Sequence, residues 1–161
     1  MTVSTPAASG ISNSVTILLV EDEKSVREML RDFLSSEGYD MMVAEDGVEA
    51  LKICGCHGEP IHLVLTDVSM PNMSGRELGD QIAKRFPQTR VLYMSGHTVD
   101  SMTEHTYGQT IYLIGKPFTL VALHAKIREV LGTQQPSANS PNSNAGNISG
   151  TSSSASASSG R

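Results

Sequence analysis

Five short apolar runs punctuate the chain, at residues 15–20, 41–44, 62–66, 91–94 and 111–114, and the apolar rhythm between them is different. The runs are nearly continuous in apolar residues, as strands buried on both faces require. After the first, Val26, Met29, Leu30, Phe33 and Leu34 recur at helical spacing, and Gly38 ends the pattern. Asp46 stands three residues before Glu49 and opens a helix reaching about Ile53. Ser74 and Glu77 form a capping-box pattern ahead of Leu78, Ile82 and Phe86, and Pro87 stops that helix. Ser101 and Glu104 open a short, weakly apolar helix. Thr119 caps a last one with Leu120, Leu123, Ile127, Val130 and Leu131 inward, closed by Gly132. Strand followed by helix, five times over, predicts a single α/β domain with a doubly wound parallel sheet, (βα)5, over residues 14–132.

Charge separates this region from the ends. Residues 14–132 hold all 17 acids and 11 of the 12 bases, a balance of −6, while the whole chain carries −5. Residues 1–13 and 133–161 are rich in Ser, Asn, Gly and Ala with little to bury, which predicts a disordered N-terminal arm and a disordered tail. An acidic globule without a basic run is a poor nucleic-acid partner. No apolar run is long enough to span a membrane, and no basic-then-apolar leader opens the chain, so a cytoplasmic location is expected. Cys54 and Cys56 lie too close to staple a long loop and read as reduced thiols. With His57 they match no standard zinc spacing. The Asn147-Ile148-Ser149 sequon has no meaning in a cytoplasmic tail.

In parallel α/β sheets the chemistry sits beyond the carboxyl ends of the strands. The first run ends in Glu21-Asp22-Glu23, the third in Asp67, the fourth in Ser95-Gly96 and the fifth in Lys116-Pro117. Taken singly, each has a mundane reading as a helix start, a turn or a loop. Four such ends that must meet on one sheet edge carry more weight. Three close carboxylates repel, and Mg2+, a hard cation with oxygen ligands, relieves the repulsion. Asp22 and Asp67 would ligate directly, Glu21 through water, and the Ser69 main-chain carbonyl would complete the set. Asp67 is then the nucleophile for a phosphoryl group, with Ser95 and Lys116 binding its remaining oxygens.

The stretches Ile17-Leu18-Leu19-Val20-Glu21-Asp22-Glu23, Leu65-Thr66-Asp67-Val68-Ser69-Met70-Pro71, Met94-Ser95-Gly96 and Lys116-Pro117-Phe118 resemble the receiver domains of two-component response regulators. The stretch from Val91 through Ser95-Gly96-His97-Thr98 is most similar to receivers of hybrid sensor histidine kinases. The resemblance implies a flavodoxin-like strand order 2-1-3-4-5, a magnesium-dependent aspartyl phosphate at Asp67, and a cis peptide at Lys116-Pro117. It also implies a histidine kinase or histidine phosphotransfer protein as donor and a downstream protein of unknown identity. Such a chain is a signalling phosphoacceptor that catalyses only its own phosphorylation and dephosphorylation.

One departure concerns the aromatic that the family usually places three residues before the lysine. Leu113 stands there, with Tyr112 one earlier; either a bulge at Gly115 returns Tyr112 to that role, or Tyr112 is an ordinary strand aromatic and the choice between Tyr112 and Leu113 stays open. The alternative function is a Mg2+-dependent phosphohydrolase with an Asp nucleophile. It needs a second acid two residues on, to protonate the leaving group, and Ser69 holds that place. A flavin module of the flavodoxin type needs a phosphate-cradling loop after the first strand, where Glu21-Asp22-Glu23 would repel phosphate.

Overall fold

The computed structural model describes residues 14–96, 105–106 and 109–132. Its elements in chain order are β1 (Thr16–Val20), α1 (Lys24–Ser36), β2 (Asp40–Ala44), α2 (Gly47–Cys56), β3 (Leu63–Asp67), α3 (Gly75–Arg85), β4 (Arg90–Ser95), β5 (His105–Thr106), β6 (Gln109–Thr110), β7 (Tyr112–Gly115) and α4 (Leu120–Gly132). The main sheet is parallel with order β2-β1-β3-β4-β7, which is 2-1-3-4-5 when its five strands are counted alone. β5 and β6 form a separate antiparallel ribbon just before β7. The helix expected from Ser101 and Glu104 begins outside the described residues, as do the expected arm 1–13 and tail 133–161.

Alternation along the strands builds two cores. Ile17, Leu19, Leu63, Leu65, Leu92 and Met94 face one side and pack with Leu30 and Leu34 of α1 and Leu123, Ile127 and Val130 of α4. Leu18, Val20, Val64, Val91 and Tyr93 face the other side and pack with Ala50 and Cys54 of α2 and Leu78 and Ile82 of α3. The period of two is what lets a near-continuous apolar strand feed both layers.

The helix ends follow their sequence signals. The Asp46 side chain accepts from the Glu49 N–H at 2.8 Å. Ser74 and Glu77 make both bonds of the capping box. Thr119 Oγ1 accepts from the Ala122 N–H at 3.1 Å. Gly38, at φ +94°, takes the left-handed turn that leads from α1 into β2.

The bulge expected at Gly115 does not form. β4 and β7 pair in unbroken register from Leu92↔Tyr112 to Ser95↔Gly115. Tyr112 therefore faces the α1/α4 core, with the Arg90 guanidinium 6.0 Å from its ring centroid. Leu113 faces the α2/α3 core, directly beside Tyr93. An extra residue in one strand would flip every side chain beyond it, whereas in the observed register Tyr112 and Ile114 pack on one core and Leu113 on the other.

Candidate functional site

β1 and β3 pair from Ile17↔Leu63 to Val20↔Thr66, so their carboxyl ends finish level. Glu21 and Asp22, just past β1, and Asp67, the last residue of β3, therefore share one edge. One carboxylate oxygen from each lies within 4.8 Å of the others. Among the described residues this is the sole grouping of three or more His, Cys, Asp or Glu side chains with such convergence. Cys54 and His57 belong to none. Cys54 is a buried thiol that burial pushes above the usual cysteine value.

The other two strand ends close the edge. Ser95 is buried at the end of β4, level with Gly115, and its carbonyl accepts from the Lys116 N–H at 2.6 Å. The Lys116-Pro117 peptide is cis. Lys116 Nζ donates to Asp67 Oδ2 at 2.5 Å, and the Ser69 N–H donates to Asp67 Oδ1 at 3.0 Å. Both carboxylate oxygens of Asp67 are thus oriented by donors. Glu21, Asp22, Asp67, Ser69, Ser95 and Lys116 all stand at this one edge.

Electrostatics single out Glu21. It is 3% exposed. Its Oε1 accepts from the Glu23 N–H at 3.3 Å, whereas its Oε2 has no hydrogen-bond partner. Lys116 Nζ lies 3.8 Å from Oε2, near enough for Coulomb attraction but too far for a hydrogen bond. Burial pushes the Glu21 carboxyl above the usual glutamate range. The Glu23 N–H and Lys116 pull it down, and the charge of Asp67 pushes it up again. Burial pulls the Lys116 ammonium down, but the hydrogen bond and charge of Asp67, joined by Glu21 and Asp22, raise it above the ordinary lysine value. An orphaned, buried carboxylate oxygen beside two further carboxylates fits a hard divalent cation.

Two contacts had no counterpart in the sequence reading. Arg27 Nη1 donates to the carbonyl oxygens of Glu21 and Asp22, at 2.5 and 3.3 Å. Gly75, the first residue of α3, sits so close to Asp67 that a Cβ there would overlap the Asp67 carbonyl oxygen. A glycine after a capping serine was the available signal for the second.

The fold and the site together define a flavodoxin-like, doubly wound domain with an acidic crevice and one lysine at its carboxyl edge. Residues 17–128 match the model of the response regulator receiver domain. The chain is 35% identical over 128 residues to the sensor kinase CckA of Brucella abortus, an alignment covering 79% of this chain and 14% of that protein. It is 39% identical over 127 residues to the response regulator MprA of Mycobacterium bovis, covering 76% of this chain and 53% of that one. The crystal structure of the receiver domain from the hybrid histidine kinase CckA matches with a TM-score of 0.61 at 29% identity, over 72% of this chain and 98% of that one. The chain belongs to the response regulator receiver family, and spans about half or less of the length of these two curated relatives.

Proposed function

We propose that this chain accepts a phosphoryl group from a phosphohistidine onto Asp67, with Mg2+ held by Glu21, Asp22, Asp67 and the Ser69 carbonyl. The observation that carries this reading is the Lys116 ammonium on Asp67 Oδ2, set among three carboxylates of which one, Glu21, keeps a buried oxygen without a partner. When bound, the ion supplies positive charge to offset the carboxylates and the incoming phosphoryl oxygens.

The residues do the rest. The Ser69 N–H and Lys116 hold the plane of the Asp67 carboxylate. An Asp67 oxygen attacks phosphorus, a P–O bond forms as the P–N bond breaks, and the electron pair of that bond returns to the donor imidazole. Lys116, held above its ordinary pKa and so fully charged at neutral pH, then binds a phosphoryl oxygen. The Ser95 hydroxyl binds another. Phosphorylation adds charge and strong acceptors at the strand ends, and that shifts a pre-existing conformational equilibrium read by a downstream protein. The donor is a histidine kinase or a histidine phosphotransfer protein. Ser69, where a phosphohydrolase needs its second acid, supports the acceptor reading over the phosphohydrolase.

Phosphotransfer profiling tests this. The full chain is mixed with radiolabelled phosphohistidine donors, kinases and phosphotransfer proteins, with Mg2+ or EDTA. Rapid label transfer from at least one donor, abolished by EDTA, is expected. Steady release of phosphate from phosphomonoesters, with no label retained from any donor, would contradict the reading.

A further inference from the structure

The loop bearing the first two acids is held by a side chain whose position on its helix works against it. Arg27 lies in the first turn of α1, and its N–H makes a main-chain bond to the Glu23 carbonyl at 2.9 Å. A cation there faces the positive end of the helix dipole, an unfavourable place. The other cations of α1 find acids: Lys24 pairs with Glu28 and Arg31 with Asp32. Arg27 is beside the acidic loop yet makes no ion pair among the described residues. Its Nη1 is spent on two main-chain carbonyls, of Glu21 at 2.5 Å and of Asp22 at 3.3 Å.

That choice of partner matters chemically. A guanidinium on the carboxylates would neutralise them and compete with a metal ion. A guanidinium on the carbonyls leaves the carboxylates free and fixes the two peptide planes from which they project. The loop is pinned on its donor side as well. The Glu21 N–H goes to the Ala44 carbonyl at 3.2 Å, and the Glu23 N–H goes to Glu21 Oε1 at 3.3 Å.

We propose that Arg27 is a positioning residue of the magnesium site, clamping the Glu21 and Asp22 carbonyls so that both carboxylates are presented to the ion with no cationic side chain of α1 paired to them. This rests on the metal reading given above. It makes a prediction whose sign separates geometry from charge. As a mere nearby charge, Arg27 repels Mg2+, so its removal would tighten binding. As a clamp, its removal loosens the loop and weakens binding.

The test is the Mg2+ dissociation constant of the full-length parent, Arg27→Lys and Arg27→Gln, read from amide shifts in an NMR titration. Melting in EDTA checks that each variant folds. Both variants are expected to bind about tenfold more weakly, the scale set by outer hydrogen-bond partners of metal ligands. The Mg2+ concentration for half-maximal phosphoramidate labelling should rise in step, with the plateau at saturating Mg2+ retained. Lysine keeps the charge but carries its donors on a shorter, more flexible stem that does not hold them where Arg27 Nη1 stands, so Arg27→Lys decides the matter even if Arg27→Gln fails to fold. Unchanged affinity in Arg27→Lys, or tighter binding by Arg27→Gln, overturns the clamp. A plateau that saturating Mg2+ does not restore also overturns it. A parent without any Mg2+ response would overturn the metal reading itself, and the clamp with it.

Discussion

Among the described residues, Glu21 alone keeps a buried side-chain oxygen with no hydrogen-bond partner. It is almost fully buried beside the carboxylates of Asp22 and Asp67, and burial, with the charge of Asp67 adding to it, pushes its carboxyl above the usual glutamate range. A buried polar atom left unpaired costs about 1–3 kcal/mol. On the proposed reading the same oxygen is the one a cation would relieve. Glu21→Gln should therefore raise the melting temperature in EDTA by a few degrees and shrink the further rise on adding Mg2+. Differential scanning calorimetry with and without the ion checks both halves. A Gln variant less stable than the parent in EDTA would show that Glu21 is satisfied by means other than a metal. The convergence of Glu21, Asp22, Asp67 and Lys116 was legible in the sequence because each stands at a strand end, and strand ends in a parallel sheet converge. Arg27 was not legible, because its partners are main-chain carbonyls, which every residue offers and no residue type announces.

At the scale of elements, α3 is seated on the sheet by two glycines one turn apart. Gly75 meets the Asp67 carbonyl at the end of β3, and Gly79 meets the Tyr93 hydroxyl on β4, where a Cβ would overlap it. Tyr93 pairs with Leu113 on β7, in the place where the aromatic of β7 was sought. The helix is thus keyed to the strand that ends in Asp67 and to the strand that ends in Ser95. An alanine in a helix normally gains about 1 kcal/mol over glycine. Gly79→Ala should instead lose about 1–3 kcal/mol in chemical denaturation, as overpacked cores do. Adding Tyr93→Phe should restore part of the loss, since the ring carbon nearest the site still lies 2.7 Å from the new Cβ. Stability unchanged or raised in Gly79→Ala would show that α3 is not held by this contact. Burial, with the charge of Asp80 adding to it, also pushes the Tyr93 phenol up to about 12. Its folded value exceeds the unfolded one of about 10, so its contribution is whole below pH ~10 and is lost as pH rises toward 12. Tyr93→Phe should accordingly lose less stability than the parent between pH 9 and 12, as melting curves across that range would show. Parallel loss in both would place the alkaline sensitivity elsewhere. Periodicity and caps made nearly every helix and strand readable here. The partnership of Gly79 with Tyr93 was not readable, because 14 residues separate them and only the packing of α3 across β4 brings them together. The same limit misplaced Tyr112, whose side is fixed by the register of β7 and not by its nearness to Lys116.

For the molecule as a whole, a parallel sheet that gathers three carboxylates at one edge couples its stability to whatever cation relieves them. Binding to the native state alone stabilises by mass action, by about 2.7 kcal/mol at a free Mg2+ concentration of 100 times the dissociation constant. The melting temperature should climb with Mg2+ in the parent and hardly at all in Asp22→Ala, which removes an exposed carboxylate without disturbing either core. Equal gains in the two proteins would point to an ion bound elsewhere. The chemistry proposed for Asp67 leaves a covalent mark. Phosphoramidate with Mg2+ is added to the full chain, and the product is weighed intact by mass spectrometry beside Asp67→Asn. Asparagine keeps the shape at the end of β3 and removes the nucleophile. The parent should gain the mass of one phosphoryl group, labile to base or hydroxylamine as an acyl phosphate is, and Asp67→Asn should gain none. Equal labelling of the two would show that the phosphoryl group goes to another residue.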